Sequence, residues 1–131
     1  MNTTKKKIKI IIEKTETGFS AFSEDYPIFT TGKSITELQI NALEATQLYF
    51  DEQEEKITME KLKFEFDFQQ FFQYYNVINA KMLAQKIGMN ATLLSQYVSG
   101  KKKPSDVQTE KILNGIHQIG QELAELNLIY R

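Results

Sequence analysis

Between residues 61 and 68 the sequence reads KLKFEFDF, and from Asp67 onward its apolar period changes from two to about 3.6. Leu62, Phe64, Phe66 and Phe68 fall on one face of the alternating stretch and Lys, Glu and Asp on the other, the pattern of a half-buried strand. Three phenylalanines on one face are an aggregation hazard if left open. That face is therefore expected to be covered, either by the core of the front half or by a second copy of the chain. The segments that follow, FQQFFQYYNVI, AKMLAQKIG, ATLLSQYVS and SDVQTEKILNGIHQIGQELAEL, repeat at helical spacing and predict four or five helices with short connections. The change of period marks the expected division into domains 1–66 and 67–131.

The front half reads as strands around one helix. KKIKIIIEKT (Lys6–Thr15) is rich in β-branched residues, a turn signal stands at Thr17-Gly18, and FSAFSED completes a hairpin. Asp25–Pro27 breaks the run, and IFTT (Ile28–Thr31) supplies a third strand before Gly32. Ser34 with Glu37 forms a capping box that should open a helix. Ile35, Leu38, Ala42, Ala45 and Tyr49 give it one apolar stripe. The acidic run Asp51–Glu55 reads as a solvated linker, and Lys5–Lys7 as a frayed terminus. The expected class is α+β: a small β-β-β-α-β domain followed by an all-α domain.

Composition narrows the chemistry. At 41% apolar and 25% charged residues the chain is globular. No apolar run approaches the roughly 20 residues that span a bilayer, so no membrane association is expected. The start, MNTTKKKIKIII, is basic then apolar, but Lys9 interrupts a short apolar part and no small-residue cleavage site follows. A cytoplasmic protein is expected, and the absence of cysteine fits. No cysteine and one histidine leave no zinc site of the Cys/His kind and no thiol catalysis. His117, in ILNGIHQIG, reads as a surface or capping residue. No metal, cofactor or catalytic residue is expected: Glu13, Glu24, Asp25, Glu37 and Glu44 are available, but two-metal hydrolysis needs converging carboxylates and the first strand has no Asp in its middle.

Charge is divided along the chain. Residues 1–60 hold seven Lys and eleven Asp or Glu; residues 61–131 hold eight Lys, one Arg and six Asp or Glu. An acidic front (net −4) and a basic back (net +3) sum to the overall −1 and imply two surfaces with different partners.

The stretch MLAQKIGMNATLLSQYVSGKKKPS (Met82–Ser105) has the joint features two steeply crossing helices need. Leu83 and Ile87 supply an inner face, Ala84 a small contact residue and Gly88 a left-handed turn. Met89 is a buried spacer, Asn90 a cap, and Leu94 with Tyr97 the inner face of the second helix. A generic helical pair with a glycine between also fits these features one by one. The outward residues Asn90, Ala91, Thr92, Ser95, Gln96 and Ser99 are short or amide-bearing and none is acidic, as a helix entering the major groove requires. Gln96 has the reach for a bidentate contact to adenine, and Thr92 and Ser95 for base edges. Lys101, Lys102 and Lys103 leave that helix where phosphates would lie, although a solvated loop has the same composition.

Residues 68–126 resemble the lambda-repressor, Cro and Xre-like helix-turn-helix family, through LAQKIGMNATLLSQYVSGKKKPS. By that likeness Ala91, Thr92 and Gln96 fall on base-reading positions, with Ser95 on the same face. Asn79 and Lys101 fall near phosphate-contacting ones, and Lys81, Asn90, Ser99, Lys102 and Lys103 complete the expected phosphate set. Ala91 departs from the long polar side chain common there, leaving a methyl contact with thymine.

GFSAFSEDYPIFTTGKSITELQINALEATQLYF resembles the HicB antitoxin domain through Gly18, Phe19, Ala21, Pro27, Gly32, Ser34, Glu37, Asn41, Ala42, Glu44 and Ala45, over roughly residues 6–52. Ile28 stands where that family usually has Gly, and Leu38 where Ala is common. The resemblance implies a reduced ribonuclease H-like fold that inhibits a HicA-like messenger-RNA-cleaving toxin, without enzymatic activity of its own. Together the two likenesses imply an antitoxin that represses its own operon, with operator DNA and a basic toxin as partners. A homodimer or higher oligomer is expected, since one short recognition helix reads few base pairs and two would address half-sites roughly 34 Å apart. A one-component regulator whose front half senses a small ligand, or only dimerises, is the alternative. A protein-interaction module that no longer binds DNA is the third reading.

Overall fold

The computed structural model describes residues 7–52 and 56–126. Lys5 and Lys6 of the basic run and residues 53–55 of the acidic run lie outside them. The architecture is α+β, with one four-stranded mixed sheet and five α-helices among the described residues. The chain forms two compact units, Met1–Tyr74 and Tyr75–Arg131. No described helix is long and apolar enough to cross a membrane.

In the first unit, strands β1 (Ile8–Thr15), β2 (Gly18–Phe22) and β3 (Phe29–Gly32) form an antiparallel meander. Helix α1 (Ile35–Tyr49) then carries the chain across the sheet. A single 3-10 turn, Met59–Lys61, leads into β4 (Leu62–Phe66), which pairs parallel to β1. The strand order is β3-β2-β1-β4. Ile10, Ile12, Ala21 and Leu62 bury against Leu38 and Ala42 of α1, and Phe64 and Phe66 pack on the same cluster. The apolar face of KLKFEFDF therefore belongs to the front core. The strand itself ends at Phe66, and Phe68 opens the next helix.

Local chemistry explains where α1 starts. The Glu37 N–H donates to Ser34 Oγ at 3.1 Å, and the Glu37 carboxylate accepts from the Lys33 N–H at 2.6 Å. The Asn41 amide donates to the Thr31 carbonyl at 2.8 Å, fixing α1 to β3. Gly32 lets the helix approach: a Cβ there would lie 2.5 Å from the Leu38 nitrogen. The buried stripe runs Leu38, Ala42, Thr46 rather than through Tyr49. Thr46 is admitted because its hydroxyl donates to the Ala42 carbonyl at 2.7 Å. Tyr49, expected on the stripe, is 46% exposed.

The division between the units falls one helix later than the change of period. Helix α2 (Phe68–Tyr74) stays with the sheet because it is tied to β1 by hydrogen bonds. The Asp67 N–H donates to the Ile12 carbonyl at 3.0 Å. Gln70 clasps Lys14 from both sides, its Oε1 accepting from the Lys14 N–H at 2.9 Å and its Nε2 donating to the Lys14 carbonyl at 2.7 Å. Asp67 also caps α2 by accepting from the Gln70 N–H. Phe71 stacks edge-on against Phe66.

The second unit holds α3 (Ala80–Ile87), α4 (Ala91–Val98) and α5 (Asp106–Ala124). Leu83, Ala84, Leu94, Tyr97 and Ile112 are buried. Each large aliphatic there contributes roughly 1.5–3 kcal/mol. The ion pair of Lys86 with Glu122 at 3.1 Å is solvent-accessible and contributes about 0–1 kcal/mol, so apolar burial decides how α3 meets α5. Gly115 lets α5 close on α3, since a Cβ there would overlap Ile87 Cγ2.

The carboxyl of Glu13 on β1 is held above its ordinary value near 4.5, by burial first, then by the charge of Asp67 and a hydrogen bond with it. A group whose folded pKa is raised binds its proton more tightly in the folded chain, so stability falls as pH rises through 4.5 and beyond. Glu13→Gln should therefore be more stable than wild type at neutral pH, with the gain shrinking toward pH 4.5; urea denaturation across that range reads it. The two glycines of α5 give a second check. Gly120→Ala meets nothing within 4 Å and should stabilise by about 1 kcal/mol through helix propensity. Gly115→Ala gains the same propensity but meets Ile87, and overpacking of about 1–3 kcal/mol should make it the less stable of the two variants.

Candidate nucleic-acid interface

The arrangement of α3 and α4 follows from the three residues between them, Gly88, Met89 and Asn90. Gly88 ends α3 with φ 69° and ψ 34°, a left-handed conformation that a side chain would strain. Its N–H and that of Met89 return to the last carbonyls of α3, the Met89 N–H donating to Ala84 O at 2.9 Å. Met89 is buried, which pins the turn against the core. Asn90 then caps α4 by accepting from the Leu93 N–H at 3.0 Å.

Leu94 and Tyr97 take the inner side of α4, and the opposite side faces solvent. Ala91, Thr92 and Ser95 are exposed, and Gln96 is half-buried. The four expected base-reading residues thus come together on the outward side of one two-turn helix. After Val98 the chain turns through Gly100, which has φ 82°. The Lys102 N–H donates back to the Gln96 carbonyl at 3.2 Å, so the lysine loop is folded against the end of α4. Lys101, Lys102 and Lys103 are all exposed.

The remaining expected phosphate contacts divide into two kinds. Lys81 is exposed on α3. Asn79, Asn90 and Ser99 are also exposed but have structural duties: Asn79 caps α3 by accepting from the Met82 N–H at 3.1 Å, and Ser99 Oγ donates to the Gln96 carbonyl at 3.3 Å. In Asn79 and Asn90 the carbonyl oxygen is used by the cap, and the side-chain NH₂ remains as a donor toward an anion. The first four N–H groups of α3 and α4 carry the positive end of each helix dipole.

The electrostatics of this region were only partly visible from the α4 face. From residue 68 to residue 105 there is no Asp or Glu, while Lys81, Lys86, Lys101, Lys102 and Lys103 are present. Lys86 is paired with Glu122 of α5, and the other four lysines, with no carboxylate between them in the sequence, make a region that attracts polyanions. His117 is exposed on α5. The same unit also has an open apolar cleft lined by Val77, Met82, Leu83, Ile119 and Leu123, which no local sequence signal indicated because its walls come from separate helices.

In the first unit, Glu13 meets Asp67, whereas Glu37 serves the α1 cap. Among the described residues no group of three or more His, Asp or Glu is arranged to hold a metal ion.

Comparison with models of protein families, with curated proteins and with solved structures finds no match for this chain.

The caps make a direct prediction. Asn90→Ala should cost about 1 kcal/mol of stability, whereas Asn90→Asp retains a capping oxygen and should stay close to wild type. Thermal and urea denaturation of both variants reads the difference; equal losses would show that Asn90 does not cap α4.

Proposed function

We propose that the chain is an antitoxin that also represses its own operon. In this reading the second unit is a lambda-repressor-like helix-turn-helix domain that binds operator DNA as a homodimer or higher oligomer. The first unit is a reduced ribonuclease H-like, HicB-type domain that binds and inhibits a basic, messenger-RNA-cleaving toxin. The protein acts in the cytoplasm and is itself not an enzyme.

The observation that carries the DNA half is the exposed, acid-free side of α4 continued by three exposed lysines. Gln96, Thr92, Ser95 and the Ala91 methyl are side chains of the size and polarity that read base edges. Lys81, the lysine loop and the free NH₂ groups of Asn79 and Asn90 suit phosphates. A two-turn helix covers few base pairs, so two copies are needed for an operator-length site.

The antitoxin half rests on charge and on the residues that carry the resemblance. The first unit is acidic, as a cover for an RNA-binding surface must be. The first unit is a single mixed sheet of order β3-β2-β1-β4, with α1 as the crossing from β3 to β4. The residues carrying that resemblance have folding duties here: Gly32 admits α1, Ser34 and Glu37 cap it, Asn41 ties it to β3, and Ala21 and Ala42 fill the core. They support a shared fold, and the charge supports the partner.

Fluorescence anisotropy with duplex from the chain's own promoter, titrated with salt, tests the DNA half. Lys101, Lys102 and Lys103 changed together to Ala should weaken binding to every sequence and reduce the salt slope by about 2–3. Gln96→Ala should cost about 1–3 kcal/mol on the preferred site and relax discrimination at one base pair. An unchanged slope and undiminished discrimination would remove both assignments.

A further inference from the structure

In the acidic first unit, a group of aromatic rings, two of them exposed, stands with carboxylates at the end of α1. Tyr26, in the loop between β2 and β3, packs on Tyr49 with ring centroids 5.6 Å apart and on Phe50 at 5.0 Å. Tyr49 and Phe50 meet edge-on at 4.8 Å. Phe50 is half-buried and packs on the core, and it anchors two rings that are not: Tyr26 is 36% and Tyr49 46% exposed, and Leu48 beside them is 74% exposed.

The loop is held in place rather than merely adjacent. Ser23 Oγ accepts from the Asp25 and Tyr26 N–H groups at 3.1 and 3.2 Å. The Ile28 N–H donates to the Tyr26 carbonyl at 2.7 Å, and the Ser23 N–H to the Ile28 carbonyl at 3.0 Å. Tyr26 is therefore presented at a fixed point above the end of α1.

Carboxylates flank the rings. Glu24 and Asp25 precede Tyr26, and Asp51 and Glu52 follow Phe50; all four are exposed. No Lys or Arg occurs from residue 15 to residue 32 or from 34 to 55. The last turn of α1 carries no basic residue, so its negative dipole end is followed by two more negative charges. Folding alone would favour a cation there.

We propose that the Tyr26–Tyr49–Phe50 cluster with its acidic flanks is the docking surface for an arginine-rich face of a basic partner protein. A guanidinium stacks on an aromatic face and pairs bidentately with a carboxylate, which an ammonium cannot do. Exposed rings bordered by carboxylates supply both interactions. A second copy of the chain is a poorer fit, because its sequence holds a single arginine, Arg131. The identification of the partner as a toxin rests on the antitoxin reading; the chemistry of the surface does not.

The test is ¹H–¹⁵N NMR titration of the full chain with an arginine-rich peptide and its lysine counterpart. The expected result is perturbation of the Tyr26, Tyr49 and Phe50 amides, with the arginine peptide binding more tightly than the lysine one. Two variants should each weaken arginine binding by about tenfold: Tyr26→Leu with Tyr49→Leu, and Glu24→Gln, Asp25→Asn, Asp51→Asn and Glu52→Gln together. Perturbations mapping elsewhere on the first unit, or equal binding by the variants with their circular dichroism intact, would overturn the proposal. So would a wild-type oligomer that the variants dissolve, since the surface would then belong to a second copy. If the peptide maps here and no neighbouring gene product binds, the surface stands and the antitoxin reading falls. If a co-expressed toxin binds wild type and variants alike, the reading stands and the surface falls.

Discussion

The first unit depends on the parallel pairing of β4 with β1. A parallel neighbour cannot be reached by a tight turn, so the chain must cross the sheet, and α1 is that crossing. The same pairing puts Leu62 and Phe66 opposite Ile8 and Ile12 and so closes the core over Leu38 and Ala42. It also delivers Asp67 to the end of β1, where its N–H meets the Ile12 carbonyl and its carboxyl meets Glu13. Helix α2 starts from that point, capped by Asp67 and clasped to Lys14 by Gln70.

Features set by neighbours in sequence were legible before the fold was known. The Ser34–Glu37 cap, the Gly88 turn, the Asn90 cap and the inward Leu94 and Tyr97 all depend on residues within one or two turns. Features set by distant partners were not. Helix α2 has the period of the helices after it, yet Gln70 bonds to Lys14, a pairing no local pattern announces. Tyr49 has the right spacing for the α1 stripe, but Thr46 takes the buried place because its hydroxyl finds the Ala42 carbonyl. Tyr49 is left to pack with Tyr26, which lies on a loop far from it in sequence. The candidate interface was more legible than the acidic surface for the same reason: α4 and the lysine loop are contiguous, and the aromatic cluster is not.

Charge sorts the chain as sharply as packing does. Acid is absent from residue 68 to 105, and base is nearly absent from residue 15 to 55, where Lys33 stands alone. Neither arrangement helps its own unit fold, because like charges gathered on one surface repel. Each suits a partner of opposite sign, which is the physical basis for proposing one protein with a polyanion at one end and a basic protein at the other. Binding a basic partner would make the net charge of the complex more positive than the −1 of this chain alone, which favours approach to DNA, so the two proposed activities are electrostatically compatible.

The most direct measurement is growth of cells expressing the small reading frame next to this one, with and without the full chain, followed by co-purification. The expected result is that a small basic protein arrests growth alone, that this chain restores growth, and that the two purify together. A neighbour that is harmless, or toxic but neither bound nor neutralised by this chain, would contradict it.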